Sequence, residues 1–324
     1  MAPPSNKEHA IHSSGAPKPE GYAQRLVHAL RLRVASSIAP LTGGGGSSKL
    51  DYSSPAGDPG LFGPDSVCWK VHADFAPMMA GGISALLLQT LHPLALAGVW
   101  DHSTFREDML GRLRRTARFI AGTTYGNRAD ALAQIERVRQ LHITVTGTSP
   151  DHRPYRADDP ALLTWVHVAE MSSFLASYLR YVNPALPVAM QDQYYDETAR
   201  IALMLGATEV PRSRAAIDAY LHMMRAELQA GERTREVVRL LLQTPAPRAA
   251  MRPAATLMRH AGIDLLPPWA RRMHGLERFS GVRHLLVQSG MSIVTPALRW
   301  ALVNGVAARA RQRANAPPAM AVDP

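Results

Sequence analysis

Apolar residues recur at steps of three and four along most of the chain, and this spacing predicts a succession of helices. Leu26, Ala29, Leu30 and Val34 form one such stripe within a first helix over 22–38. Further helices are predicted over 66–91, 93–100, 103–122, 127–147, 158–182, 187–205, 211–229, 232–243, 246–262 and 290–311. Cap signals support several of them. Asp65 or Ser66 can cap the second, Asp158-Asp159-Pro160 sets a proline in a first turn, and Asn183-Pro184 stops the helix before it. Sustained period-two alternation and internal repeats are missing from the sequence and no Asn-Gly turn joins two alternating runs as in a hairpin, so the pattern predicts an all-α fold with one large helical domain over 21–312. Within it, 263–290 is less periodic and reads as a covering element. Residues 1–20 are polar and proline-rich and read as a disordered arm, 43–58 as a flexible loop, and 313–324 as a flexible tail.

Composition narrows the function classes. The chain has 324 residues, 46% of them apolar, enough for a substantial core. Its single cysteine, Cys68, excludes an internal disulfide framework, a cysteine-rich zinc site and an iron–sulfur cluster held by this chain alone. The formal charge is +10, and with only Lys7, Lys18, Lys49 and Lys70 as lysines nearly all of it is arginine. The arginines are dispersed. Their densest groups are Arg112, Arg114, Arg115 and Arg118, then Arg309, Arg311 and Arg313. Neither zinc-finger spacing nor an RNA-binding aromatic motif accompanies them, so nucleic acid is not an expected partner. The opening residues lack both the apolar core of a secretory signal and a twin arginine, which with the lone cysteine predicts a cytoplasmic protein. Residues 75–99 form the one membrane candidate. Mixed flanking charges and the His92-Pro93 break favour a buried helix, and no transmembrane segment is expected.

Candidate chemistry concentrates between His92 and His167. Ile135, Val138, His142 and Val145 share one helical face, which directs His142 toward the core. Such a residue is either a core histidine bonded to a carbonyl or carboxylate, or a ligand, and spacing alone leaves both open. Arg112 and Thr116 stand four apart, with Arg115 and Phe119 on the next stripe. The threonine can also bond back to the carbonyl of Arg112. Some of the four neighbouring arginines must be solvated or paired with Glu107 and Asp108. His92, just before a helix break, can cap the preceding helix or line a cavity, and His167 sits on another helix with Phe174 further along it. The sequence contains no nucleophile elbow, phosphate loop, dinucleotide fingerprint, zinc-hydrolase histidine pair or di-iron Glu-x-x-His spacing. What remains is a cofactor held by one histidine, or no cofactor.

Several blocks occur in order: Gly63-Pro64-Asp65-Ser66, Trp69-Lys70-Val71-His72-Ala73-Asp74, Leu88-Gln89-Thr90-Leu91-His92-Pro93, Phe105-Arg106-Glu107-Asp108, Gly111-Arg112-Leu113-Arg114-Arg115-Thr116, and Tyr155-Arg156-Ala157-Asp158-Asp159-Pro160 with Trp165-Val166-His167. This series resembles the rubber oxygenase (latex-clearing protein) and MpaB oxygenase family, and is especially similar to its short actinobacterial members, over roughly residues 60 to 230. The resemblance implies an all-helical fold with a globin-like core and a b-type haem whose iron is bound by His142. It implies that Arg112 and Thr116 serve haem retention or activity. Arg115 stands where rubber-cleaving members carry a distal lysine. His92 and His167 are further candidates for the haem pocket. One departure matters: rubber-cleaving members place a glutamate ahead of the arginine block, whereas 94–100 holds no carboxylate and Asp101 is the nearest. Those members are also secreted. The expectation is therefore a haem-dependent oxygenase using dioxygen or peroxide on a small apolar substrate other than rubber. Two alternatives stay open: a cofactor-free helical protein that binds a hydrophobic ligand or partner, and a haem-free acid–base enzyme using His92, His142 or His167.

Overall fold

The computed structural model describes residues 29, 31–34, 36, 50–246, 248–277 and 281–317. After a stretch without helix or strand from 50 to 66 come α1 (Val67–Val71), α2 (Phe75–Gln89), α3 (Pro93–His102), α4 (Met109–Tyr125) and α5 (Arg128–Thr144). A short hairpin of β1 (Thr146–Thr148) and β2 (Pro154–Arg156) follows, antiparallel with Thr146 opposite Arg156. Then come α6 (Pro160–Tyr181), α7 (Val188–Leu205), α8 (Arg214–Met224), α9 (Glu232–Gln243), a 3-10 turn (Ala249–Met251), α10 (Arg252–Leu265), α11 (Pro268–Met273), α12 (Gly281–Ala301) and α13 (Val306–Asn315). The all-α expectation is met, with the hairpin as its one β addition among the described residues. Of the predicted first helix, residues 29, 31–34 and 36 are described and helical. The predicted arm, 1–20, lies outside the described residues.

The sequence of α2, FAPMMAGGISALLLQ, carries no charge. Such a helix must be covered on every side, and α6, α10 and α12 pack around it. Two glycines bring the backbones together. A Cβ on Gly81 would lie 2.9 Å from Phe174 Cδ1 and 3.1 Å from the Ser173 carbonyl oxygen on α6. One on Gly262 of α10 would lie 2.7 Å from Ile83 Cβ and 3.1 Å from the Ala80 carbonyl oxygen. Ser177 on α6 also donates to the Pro77 carbonyl at 2.7 Å. Gly262→Val is expected to destabilise the fold by about 1–3 kcal/mol through overpacking, read as a lower unfolding midpoint in urea. An unchanged midpoint would show that α10 can shift away freely. No single described helix is long and apolar enough to cross a membrane, and α2 with α3 reach that composition only as a pair bent by 106°.

The structure corrects several boundaries, among them the helix predicted over 127–147, which gives way to β1 at Thr146, and the one predicted over 290–311, which is broken between Ala301 and Val306. The single helix predicted over 66–91 is two, because contacts across the fold interrupt it. His72 is held by Thr124 and Tyr194, and Asp74, at the start of α2, receives two bonds from the Arg299 fork at 2.7 and 2.6 Å. The covering element 263–290 is α11 and the first half of α12. Val282, Leu285, Leu286 and Ile293 of α12 are exposed, so the helix shows no clean amphipathic period. The tail predicted to be flexible from residue 313 instead begins with an anchor. Arg313 is 1% exposed on α13 and donates to the carbonyls of Asp58 (2.9 Å), Tyr52 (3.3 Å), Tyr125 (2.9 Å) and Gly126 (3.2 Å). It thereby fixes the part of the predicted loop that is described. Residues 43–49 and 318–324 lie outside the described residues.

Candidate active site

Helices α4, α5, α6 and α7 line a partly open cavity that spans about 610 Å³ when its solvent-open mouth is included. Its walls are mainly apolar, including Phe119, Ile120, Leu163 and Val166, and among them stand His72, His142, His167 and Glu170. His142 lies in the last turn of α5, half-buried, next to an exposed Leu141. Its Nδ1 is buried and has no hydrogen-bond partner. The partner expected for a histidine in either role, a carbonyl or a carboxylate, is thus missing among the described residues. Burial lowers the pKa of His142, opposed by the charge of Asp158. The ring is therefore a neutral imidazole with a lone pair to give. Asp158 is itself bonded to Arg156 at 2.8 Å.

His167 comes to the same cavity from α6, buried and held near pKa 4 by desolvation, so it too is neutral. His92 does not line this cavity. It caps α3, with Nδ1 accepting from the Ala95 amide at 3.4 Å and its ring 5.9 Å from that of Trp165. The sequence reading allowed a cap on the preceding helix; its side chain instead caps the helix that follows. His72, which the sequence reading did not single out as a site residue, bonds Thr124 Oγ1 and Tyr194 Oη at 2.9 Å each. Both ring nitrogens are occupied, so His72 shapes the wall and has no lone pair left for a metal.

The arginine block divides. Asp108 starts α4 by accepting from the Gly111 amide at 2.7 Å. One turn on, Arg112 lines a second, smaller and partly open cavity. Its Nη1 donates to Ser103 Oγ at 2.9 Å. Burial, aided by the charge of Arg115 and opposed by Glu170, lowers the Arg112 pKa to about 10. Arg115 and Thr116 line neither cavity and are exposed. By helical position Thr116 falls between Arg112 and the Phe119–Ile120 pair on the inward face. Its exposure shows that α4 is uncovered midway between the two cavities.

Glu170 is the residue the sequence reading missed. It stands on α6 one turn after Val166, a residue that lines both cavities, so this turn is the wall between them. Burial raises its carboxyl to about 7, only partly offset by the Gln89 amide and the Arg112 charge. It forms no ion pair within 4 Å among the described residues. A lone carboxylate within the otherwise uncharged first five turns of α6, PALLTWVHVAEMSSFLASYL, was the available signal. The raised pKa means the folded state holds this proton more tightly than the unfolded chain, whose value is near 4.5. The stability it contributes is complete below that value and is lost as pH rises through about 7. Glu170→Gln is accordingly expected to raise the melting temperature at pH 8 and leave it nearly unchanged at pH 4, as scanning calorimetry would show. Equal shifts at both pH values would refute the assignment.

No group of three or more His, Cys, Asp or Glu side chains among the described residues is placed to hold a metal ion. A metal at His142 would need its remaining ligands from outside the chain. A family model described as ER-bound oxygenase mpaB/B'/Rubber oxygenase, catalytic domain, matches residues 69–302. No curated protein and no solved structure matches the chain.

Proposed function

Because the chain belongs to the family of the mpaB/B' and rubber oxygenase catalytic domain, we propose that it is a haem b-dependent oxygenase acting on a small apolar organic substrate, with dioxygen or peroxide as co-substrate. The observation that carries this reading is the buried, unpartnered Nδ1 of His142 beside a largely apolar cavity. A buried polar nitrogen without a partner is costly, and a neutral imidazole is the usual single protein ligand of haem iron. A porphyrin brings its own equatorial nitrogens, which suits a site offering one histidine and no cluster of metal-binding side chains. Haem, when bound, supplies the activation of dioxygen or peroxide.

The chain's own residues do the rest. His142 would hold the iron. The uncovered middle of α4 would receive the cofactor, with Arg115 and Thr116 presented along it and Arg112 one turn away at the second cavity. His167 adds a neutral ring to the same cavity and Glu170 keeps a proton available at its carboxyl. The apolar walls exclude water from the reacting region. His92 would act at one remove, through Trp165. A cytoplasmic location belongs to this proposal, supported by a chain whose one cysteine, Cys68, is free and buried.

The test is spectroscopic. Protein purified from haem-supplemented cells is expected to show a Soret band and an iron content of about one per chain. A second reading, a haem-free acid–base enzyme, is favoured by Glu170, whose pKa near 7 suits proton transfer at neutral pH. Colourless, iron-free protein would remove the first reading and leave the second.

A further inference from the structure

Arg112 brings a positive charge into surroundings that leave most of it unanswered. The cavity it enters is walled by Leu86, Leu96, Val99, Phe105, Met109 and Val237. Its guanidinium has five N–H donors, and Ser103 accepts from one nitrogen. No carboxylate lies within 4 Å of it among the described residues. A cation in an apolar cavity is costly unless an anion meets it. Beside the cavity Phe105 packs on Trp100, with ring centroids 5.7 Å apart, and Arg106 and Arg233 lie 4.5 and 4.9 Å from the Trp100 ring, Arg233 being paired with Asp101 at 3.7 Å.

We propose that this second cavity binds an apolar carboxylic acid, with its carboxylate on the free face of the Arg112 guanidinium and its hydrocarbon body between Val99, Phe105 and Val237. The proposal rests on the oxygenase reading and names the substrate class for it. The shared wall at Val166 would set the hydrocarbon body beside the His142 cavity.

The neighbouring charges make the proposal specific. Facing Glu170 are Arg112 from α4, Gln89 from α2, His142 from α5, His167 from its own helix, His72 from the α1–α2 turn and Tyr194 from α7. Burial lowers the pKa values of His72, His142 and His167 and raises that of Tyr194, so none carries charge at neutral pH. Arg112, half-buried, is the one cation of the group. When a ligand carboxylate takes Arg112, Glu170 loses its attraction and gains a negative neighbour. It then takes up a proton.

Calorimetric titration of the purified holoprotein with decanoate and with decanol tests this. Decanoate is expected to bind on the order of tenfold or more tightly than decanol, the gain from a charge-assisted pairing. Arg112→Gln should abolish that preference while leaving decanol unchanged, and Arg112→Lys should restore part of it. At pH 7.5, in buffers of different ionisation heat, wild type should take up a fraction of a proton per decanoate bound and Glu170→Gln none. Equal affinity for acid and alcohol overturns the proposal, and this comparison needs no variant to fold. Loss of haem from Arg112→Gln with decanoate affinity intact also overturns it, since Arg112 would then serve the cofactor's own carboxylates. A protein that prefers decanoate but never shows a Soret band would keep the site and remove only the haem reading.

Discussion

His142→Ala is expected to leave a folded protein that no longer retains haem. The side chain is half-buried at the end of α5 and makes no hydrogen bond among the described residues, so its removal breaks no internal network. Helical circular dichroism should stay at the wild-type level. Loss of an outer partner of a metal ligand already costs about 10–100-fold in affinity, and loss of the ligand itself should cost more, so the Soret band should disappear after gel filtration. Imidazole added to a His142→Gly variant should restore a band, because the space left by the ring can take the free ligand. His92→Ala should keep full haem content, since His92 caps α3 and does not line the His142 cavity. His167→Ala should keep haem with a shifted spectrum. Full haem content and an unaltered spectrum in His142→Ala would remove His142 from the iron even if haem is bound.

Arg313→Ala is expected to be the most destabilising single change outside the apolar core. The guanidinium bonds the backbone at Tyr52, Asp58 and the Tyr125–Gly126 turn. Alanine would strand these carbonyls, most of them out of reach of water, and the large effects known for broken buried networks suggest a loss of about 3–5 kcal/mol. Lysine should recover little, because an ammonium point cannot reproduce the planar fork. Urea unfolding followed by fluorescence measures the difference. A loss below about 1 kcal/mol would mean that α13 merely rests on the surface.

The sequence was most legible where local signals and tertiary contacts agree. Asp159 and Pro160 begin α6 where the motif predicts, with Asp159 accepting from the Ala161 amide at 2.8 Å. Legibility failed where distant partners decide. The α1–α2 break depends on Thr124, Tyr194 and Arg299, far away in sequence. Arg313 looked like one more arginine in a polar tail because its partners are backbone carbonyls, which composition does not reveal. In the site, periodicity directed His142 inward, and the structure sets it half-buried on a cavity that His167 also lines. Periodicity could not show that the inward face of α4 is uncovered at Thr116, since helical position gives direction and not what lies opposite. Glu170 escaped notice because an isolated carboxylate on an apolar helix reads as noise until the cavity beside it is seen.

The close approach at Gly81 reaches further than packing. Phe174, the residue it admits, also meets the His72 ring edge-on at 5.4 Å, and His72 is clasped between Thr124 and Tyr194 in the cavity wall. The distance between two backbones in the interior and the bore of the His142 chamber are therefore one mechanical quantity. A side chain forced in at position 81 would be felt at Phe174 and, through it, at His72 in the cavity wall, so the chamber can be reshaped from a residue that does not line it.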